Sequence, residues 1–249
     1  MAAGRPFHGS FVAIPRSPLC FGVRTMKESE KSWSKVTDSD GNDVTDELAA
    51  FADIYGLERA ASGRYSLLLL YGLYYWAKAG RLNPAKVMEE IEALEGLRQS
   101  SRTKPASAFT RNKPLKGLWH KHYLEDGLPS MAINLQKGMR KYSIPFAQQM
   151  VEEAQNSGEE RHFSEKDIPS IVHDVVEGNW KRLMSESALT GQWIIFAQHD
   201  GKNYYLCLAS HTTGDQKIRD QIDAICVQEF PFLKGVLSRT EDPYRDRGN

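Results

Sequence analysis

The chain has 249 residues, 41% of them hydrophobic and 26% charged, and its 32 basic residues balance its 32 acidic residues. This composition is ordinary for a globular protein with a core, and the balanced charge says nothing about its partners. The three cysteines are odd in number and far apart in the chain, which excludes a disulfide framework and a zinc ribbon and fits a reducing, cytoplasmic compartment. No apolar run approaches the roughly 20 residues of a membrane span, so no membrane association is expected.

The first 43 residues are expected to form a flexible N-terminal segment. Residues 1–27 contain four basic residues and no acidic residue, with prolines at positions 6, 15 and 18 and no helical period. An organelle transit peptide has this bias; the alternative expectation is that Met26 is the true start and that the residues before it are upstream readthrough. We expect residues 1–27 to be dispensable for folding. Residues 28–43 are polar and acidic and resemble a surface loop.

Three helical patterns follow and predict a helical subdomain over residues 44–97. The first places Leu48, Phe51 and Tyr55 on one face. The second, from Ser66 to Ala79, is apolar on nearly every side, which is typical of a buried central helix. The third starts at Asn83 and Pro84, where a capping residue is followed by a proline at the first helical position.

The stretch from Gly96 to Leu124 has seven fixed positive charges and no acidic residue. Its first part, residues 98–114, is rich in Ser, Thr and Pro and is predicted to be a basic linker. Aromatic residues are interleaved with the basic ones. Because basic side chains neutralise phosphates and aromatic faces stack on unpaired bases, the segment suits single-stranded nucleic acid. A solvated linker that leads into an ordinary hydrophobic segment is the alternative.

Residues 115–237 are predicted to form an α+β core domain, and residues 238–249 a frayed tail. Two apolar runs flank the turn at Asp200 and Gly201, which predicts a β-hairpin over residues 193–209. The expected fold class is α+β, with the N-terminal helical subdomain followed by helices packed on a small antiparallel sheet built around this hairpin. No βαβ repetition and no GxGxxG, Walker A, GxSxG or HExxH motif occurs.

Strict alternation along the second strand of the hairpin makes a specific prediction about its faces. Tyr205, Cys207 and Ala209 are expected on one face, and Tyr204, Leu206 and Leu208 on the other. His211 then continues the Tyr205 face if the strand extends that far.

Six of the seven histidines lie after residue 119, and they suit metal-free cleavage of a phosphodiester. One group removes the proton of the ribose 2′-hydroxyl, a second protonates the leaving 5′-oxygen, and a cation stabilises the charged phosphorane. Histidine can serve as either acid or base near neutral pH. Neither a cofactor nor a metal is needed. The candidate catalytic residues are His120, His122, His199, His211, Lys121 and Lys202. The candidate substrate-binding residues are Arg111, Lys113, Lys116, Trp119, Tyr123 and Tyr204.

We expect the stretch from Leu118 to Tyr123 and the hairpin to converge on one site, because a proton-transfer pair must reach the same substrate phosphate. An isolated hairpin is only marginally stable, so another element has to pack on its apolar face. If His120 and His122 lie on a strand, both imidazoles project from the same face.

The hairpin with its WIIF and NYYLCLASH runs, preceded by helices, resembles the ribonuclease toxins grouped around RelE, barnase and the EndoU-type nucleases. The resemblance covers residues 115–233. It implies a sheet of four or more strands, of which the sequence signals only two. It also implies metal-independent endoribonuclease activity, with RNA or another polyanion as substrate and an inhibitory protein as a partner.

Two other functions compete with this one. In the first, the protein is a non-catalytic module that binds nucleic acid or protein, its histidines are structural, and its basic segment is a docking surface. Alternatively, it is a metal-dependent hydrolase in which the His120–His122 pair supplies two ligands and a further residue completes the site.

Overall fold

The computed structural model describes residues 35–38, 40–99, 102–111, 113–158, 160 and 162–238. Residues 1–34 of the predicted flexible segment (residues 1–43) and residues 239–249 of the predicted tail (residues 238–249) lie outside the described residues. The fold class is α+β, as predicted. The described residues divide into two compact units: a sheet unit within residues 35–99, 105–125 and 192–238, and a helical unit within residues 102–104 and 126–191. None of the described helices combines the length and the apolar character that crossing a membrane requires.

The sheet unit contains helices before and after its strands. The described helices are α1 (Thr45–Ile54), α2 (Leu57–Ala61), α3 (Leu67–Lys78), α4 (Pro84–Leu94), α9 (Asp215–Gln221), α10 (Val227–Glu229) and α11 (Leu233–Ser238), with a π-helical turn (Ile222–Cys226) between α9 and α10. The described strands are β1 (Ser107–Ala108), β2 (Trp119–Tyr123), β3 (Gln192–His199) and β4 (Lys202–Ala209).

Local capping explains where two of these helices begin. The side chain of Ser66 accepts a hydrogen bond of 3.0 Å from the amide of Leu69 and so caps α3. The side chain of Asn83 accepts one of 3.1 Å from the amide of Ala85, and Pro84 occupies the first turn of α4. Each cap satisfies an amide that has no partner within its own helix. The residues of α3 from Leu67 to Leu73 are all buried, so the predicted central helix is confirmed.

Among the described residues, the strands form one antiparallel sheet in the order β1-β2-β3-β4. The predicted hairpin is confirmed as β3 and β4. Asp200 and Gly201 have φ values of 48° and 71° at its turn, and positive values at both central residues are what a type I′ turn requires. Beyond β4, the amide of Ser66 donates to the carbonyl of Tyr205 at 2.9 Å, which protects this edge of the sheet.

A β-bulge changes the faces of the hairpin. Ile195 pairs with Cys207 and Phe196 with Tyr205, so Leu206 is the extra residue. Tyr205 and Leu208 therefore belong to one core, whereas Leu206, Cys207 and Ala209 belong to the other. The prediction that Tyr205 shares a face with Cys207 is wrong, because one inserted residue shifts the two-residue alternation.

Each face of the sheet is covered by its own set of helices. The first face packs Ile194, Phe196 and Tyr123 against buried residues of α1 to α4. The second face packs Ile195, Cys207 and other residues mainly against α9, the π-helical turn and α11. The sheet and the N-terminal helices thus share one core, and the helices predicted over residues 44–97 pack as part of the sheet unit.

The helical unit is an insertion in the chain between β2 and β3. Its described helices are α5 (Leu128–Tyr142), α6 (Pro145–Ser157), α7 (Ile168–His173) and α8 (Asn179–Ser185), with a π-helical turn (Asp174–Gly178) before α8. The buried side-chain amide of Asn134 on α5 makes two hydrogen bonds to the backbone of Thr190. Its Nδ2 donates to the carbonyl of Thr190 at 2.7 Å, and its Oδ1 accepts from the backbone N–H of Thr190 at 2.9 Å. This pair joins the start and the end of the unit.

The predicted basic linker at residues 98–114 is not a separate segment. Thr103 pairs with Leu189 in the helical unit, whereas Ser107 and Ala108 form β1 of the sheet. Composition predicts a linker here because Ser, Thr and Pro are frequent. The pairing partners lie far away in the chain, and local composition carries no information about them.

Candidate functional site

Two histidines of β2 and one that follows β4 meet on the second face of the sheet. The ring centre of His122 lies 5.5 Å from that of His120 and 5.5 Å from that of His211. Trp193 contacts the group, with its ring centre 5.2 Å from His120 and 4.3 Å from His211. We refer to His120, His122, His211 and Trp193 as the histidine cluster.

The register of the sheet creates this arrangement. His120 and His122 lie two residues apart on β2, so both side chains project from the same face. His122 is directly opposite Trp193 on β3, and Trp193 is opposite Ala209 at the end of β4. His211 follows two residues later and returns over Trp193.

The three histidines of the cluster differ in their exposure to solvent. His122 is only 4% exposed, whereas His120 is half-buried and His211 is exposed. The indole Nε1 of Trp193 is buried and has no hydrogen-bond partner among the described residues. The hydroxyl of Ser107 on β1 lies 3.4 Å from Nε2 of His120. Phe109 packs beside His120 with a ring-centre distance of 4.7 Å. The cluster thus combines three imidazoles with a half-buried indole and the packed ring of Phe109.

Lys121 does not join the cluster, although it is a candidate cation. Its side chain projects from the opposite face of β2 and forms a buried ion pair with Glu90 of α4, with Nζ 3.3 Å from Oε2. Burial lowers the pKa of Lys121, an effect that the carboxylate of Glu90 opposes. The predicted role beside the histidines therefore does not fit this position, because alternation along β2 separates Lys121 from both neighbouring imidazoles.

Trp119 and Tyr123 lie on the same opposite face and do not fit the predicted role in substrate binding. Tyr123 is completely buried, and burial raises the pKa of its hydroxyl. Trp119 is half-buried and stacks on Phe196 with a ring-centre distance of 6.3 Å. Both pack in the core that α1 to α4 share with the sheet.

His199, Lys202 and Tyr204 lie at the other end of the hairpin. His199 is six residues from Trp193 along β3, or about 20 Å at roughly 3.3 Å per residue. The ring of His199 stacks on Phe232 with a ring-centre distance of 4.1 Å. Tyr204 contacts the same phenylalanine at 4.7 Å, and Lys202 is exposed beside the turn. Of the two alternatives His199 and His211, the structure therefore brings His211 to the histidines of β2, whereas His199 and Lys202 lie at the other end of the hairpin.

The predicted basic substrate-binding residues are described in part. Arg111 and Lys116 are exposed in the segment between β1 and β2. Lys113 begins a 3-10 turn (Lys113–Leu115), and its side chain is outside the described part of the structure. Among the described residues, no group of three or more histidines, cysteines or acidic residues has a geometry that could hold a metal ion.

The sequence pattern does not identify Trp193, Ser107 and Phe109 as members of the site. In the sequence, Trp193 is only the first residue of an apolar run. Its position is set by the register between β2 and β3, which pairs it with His122. The signal that could have identified it is the alternation of β3, since Trp193 and Ile195 share the face of His122 and His120 once the two strands are paired.

Comparison of the chain with protein-family models, with curated proteins and with solved structures found no match.

Proposed function

We propose that the histidine cluster is the active site of a metal-independent endoribonuclease. The observation that carries the proposal is the position of His122, whose ring lies 5.5 Å from each of two other imidazoles that solvent can reach. Histidine exchanges protons near neutral pH, and phosphodiester cleavage needs one proton acceptor and one proton donor at the same phosphate.

In the proposed reaction, one outer imidazole, His120 or His211, takes the proton of the ribose 2′-hydroxyl. The 2′-oxygen then attacks phosphorus, and the bond from phosphorus to the 5′-oxygen breaks. The other outer imidazole gives its proton to the leaving 5′-oxygen. The products are a 2′,3′-cyclic phosphate and a 5′-hydroxyl, so atoms and protons balance without a cofactor.

His122 lies between the other two rings and is the group placed to donate a hydrogen bond to a phosphate oxygen. Such a donor stabilises the charge that develops on the phosphorane, and His122 is itself buried. The indole Nε1 of Trp193, in the same cluster, has no hydrogen-bond partner among the described residues. This arrangement supplies charge stabilisation without Lys121.

The half-buried ring of Trp193 beside the imidazoles suits a nucleobase. Phe109, which is only 6% exposed, packs edge-on against it with a ring-centre distance of 5.7 Å. Stacking of a base on one exposed aromatic face contributes about 1–3 kcal/mol of binding free energy, with little dependence on which base it is. Binding of single-stranded RNA is therefore part of the proposal.

The test is incubation of the purified full chain with single-stranded RNA, with the same sequence as DNA, and with RNA that carries one 2′-deoxynucleotide. Each reaction is run with and without EDTA. We expect EDTA-resistant cleavage of RNA, no cleavage of DNA, no cleavage at the 2′-deoxy position, and 2′,3′-cyclic phosphate ends. The variant His122→Ala should lose activity, whereas His173→Ala, an exposed histidine in the helical unit, should keep it.

Other results would select the competing functions. Binding of RNA without cleavage would identify a non-catalytic module, and cleavage that EDTA abolishes would identify a metal-dependent hydrolase. Cleavage of DNA at the same rate as RNA would exclude attack by the 2′-hydroxyl and overturn the proposal.

A further inference from the structure

A cavity in the helical unit has a cationic lining that neither the fold nor the histidine chemistry requires. It lies along α5 and has a volume of about 360 Å³. Ligand sites in proteins commonly have volumes of about 300–1,000 Å³. Its lining residues are Ile133, Gln136, Lys137, Arg140, Lys141 and Thr190.

The positive charges in this cavity repel one another. The ammonium of Lys137 donates a hydrogen bond to the carbonyl of Ala188, which fixes its position. Burial lowers the pKa of Lys137, and the nearby charges of Lys104 and Lys141 lower it further. Holding like charges together at a partly buried position is unfavourable, so a bound anion would relieve the repulsion.

Acidic residues compensate only part of this charge. Lys141 forms an ion pair with Glu186. The guanidinium of Arg140 is exposed and has neither a hydrogen bond nor an ion pair among the described residues. A guanidinium presents several donors in a planar fork that matches the oxygens of a phosphate group. Gln136, which lines the same cavity, adds an amide that can donate to a phosphate oxygen.

We propose that this cavity binds a phosphate group of the RNA backbone, with Arg140 as the principal contact and Lys137 and Lys141 beside it. The choice of RNA over another polyanion rests on the function proposed for the histidine cluster. Backbone contacts of this kind hold a nucleic acid in place without reading its sequence. Binding to the cavity is thus expected to contribute affinity and salt dependence, but no base preference.

The test measures binding of a fluorescent 2′-O-methyl RNA oligonucleotide, which the proposed reaction cannot cleave, by anisotropy across a range of salt concentrations. Arg140→Glu should weaken binding about tenfold at low salt. It should also reduce the slope of log affinity against log salt by about 0.7 for each phosphate that the variant no longer neutralises. Lys166→Glu is the matched control, because Lys166 is an exposed lysine of the same unit away from this cavity. It should change affinity by less than about twofold.

Two competitors test whether the cavity prefers the phosphates of a nucleic acid to free phosphate or to a carboxylate polyanion. Inorganic phosphate alone should displace the RNA only at high concentration, and polyglutamate should compete poorly. If Arg140→Glu and Lys166→Glu weaken binding equally, the cavity is not a site and the inference is wrong. Equal competition by polyglutamate would also overturn it. Because the probe resists cleavage, an inactive wild-type protein would count against the proposed ribonuclease alone, and weaker binding by Arg140→Glu would still support the cavity.

Discussion

The rings of His122 and His211 stack in an offset arrangement, with centres 5.5 Å apart and planes 26° from parallel, although one residue is buried on β2 and the other is exposed after β4. This contact is what joins the two halves of the proposed site. His211 makes this contact, whereas His199 lies at the far end of the same hairpin and does not belong to the cluster.

We predict that His211→Ala and His199→Ala have opposite outcomes. His211→Ala should lower the rate of RNA cleavage by about 10²-fold or more, because a general acid or base typically contributes about 10²–10⁴-fold. His199→Ala should retain the wild-type rate, since the ring of His199 stacks on Phe232 about 20 Å from Trp193. Single-turnover rates with matched circular dichroism spectra provide the measurement. Loss of activity in both variants, with both folded, would contradict the separation of the two ends of the hairpin.

The buried ion pair between Lys121 and Glu90 predicts a stability effect. Both side chains are only 5% exposed. Glu90→Ala leaves the ammonium of Lys121 buried without its carboxylate, and breaking a buried pair in this way costs about 3–5 kcal/mol. The double variant Lys121→Met with Glu90→Leu should recover most of this stability, because neither charge remains to be desolvated.

Chemical denaturation of the wild type and the variants gives the free energies of unfolding. Glu177→Ala is the control, since Glu177 pairs with Lys181 at an exposed site of the helical unit and should change stability little. A double variant as unstable as Glu90→Ala would show that the pair itself is needed, and that hydrophobic replacement does not substitute for it.

Gly138 lies on α5 at a position where the packing within the helical unit leaves no room for a side chain. A Cβ at this position would lie 2.7 Å from the Cβ of Asn179 on α8. Overpacking of this kind costs about 1–3 kcal/mol, which outweighs the gain of about 1 kcal/mol that alanine brings to a helix. Gly138→Ala should therefore destabilise the unit and speed hydrogen exchange in α5 and α8.

The matched control for that substitution is Gly235→Ala on α11, where nothing lies within 4 Å of the added Cβ. It should be neutral or stabilise the protein by up to about 1 kcal/mol. Equal effects of the two substitutions on thermal unfolding would refute the close approach of α5 and α8.

Glu125 predicts a dependence of stability on pH. Burial raises the pKa of its carboxyl above the usual value for glutamate, although a hydrogen bond from Gln192 acts in the opposite direction. The folded state then binds a proton more readily than the unfolded state. The stabilising contribution is complete below the unfolded pKa and disappears as the pH rises through the folded pKa.

Glu125→Gln removes this titration while keeping the shape of the side chain. Relative to the wild type, the variant should be more stable at pH 8 than at pH 4. Urea denaturation at several pH values between 4 and 8 measures the difference between the two proteins. A constant difference across that range would show that Glu125 does not titrate differently in the folded protein.

Several features follow from the sequence because local residues determine them. The turn at Asp200 and Gly201 is specified by two adjacent residues that adopt positive φ. The start of α4 is specified by Asn83 and Pro84. The continuous apolar surface of α3 requires burial wherever the helix packs. In each case the signal and the structure lie within one short segment.

Other features depend on contacts between segments that are distant in the chain. The pairing of β2 with β3 places His122 opposite Trp193, and it places Lys121 against Glu90 on the other face. The bulge at Leu206 shifts the alternation of β4 by one residue, which no periodic pattern in that strand indicates. The sequence by itself determined the elements and the candidate residue types. Strand register, in contrast, is a property of two strands together. Only the tertiary structure decided which histidines share a site, because a shift of one residue moves every side chain of a strand to the opposite face.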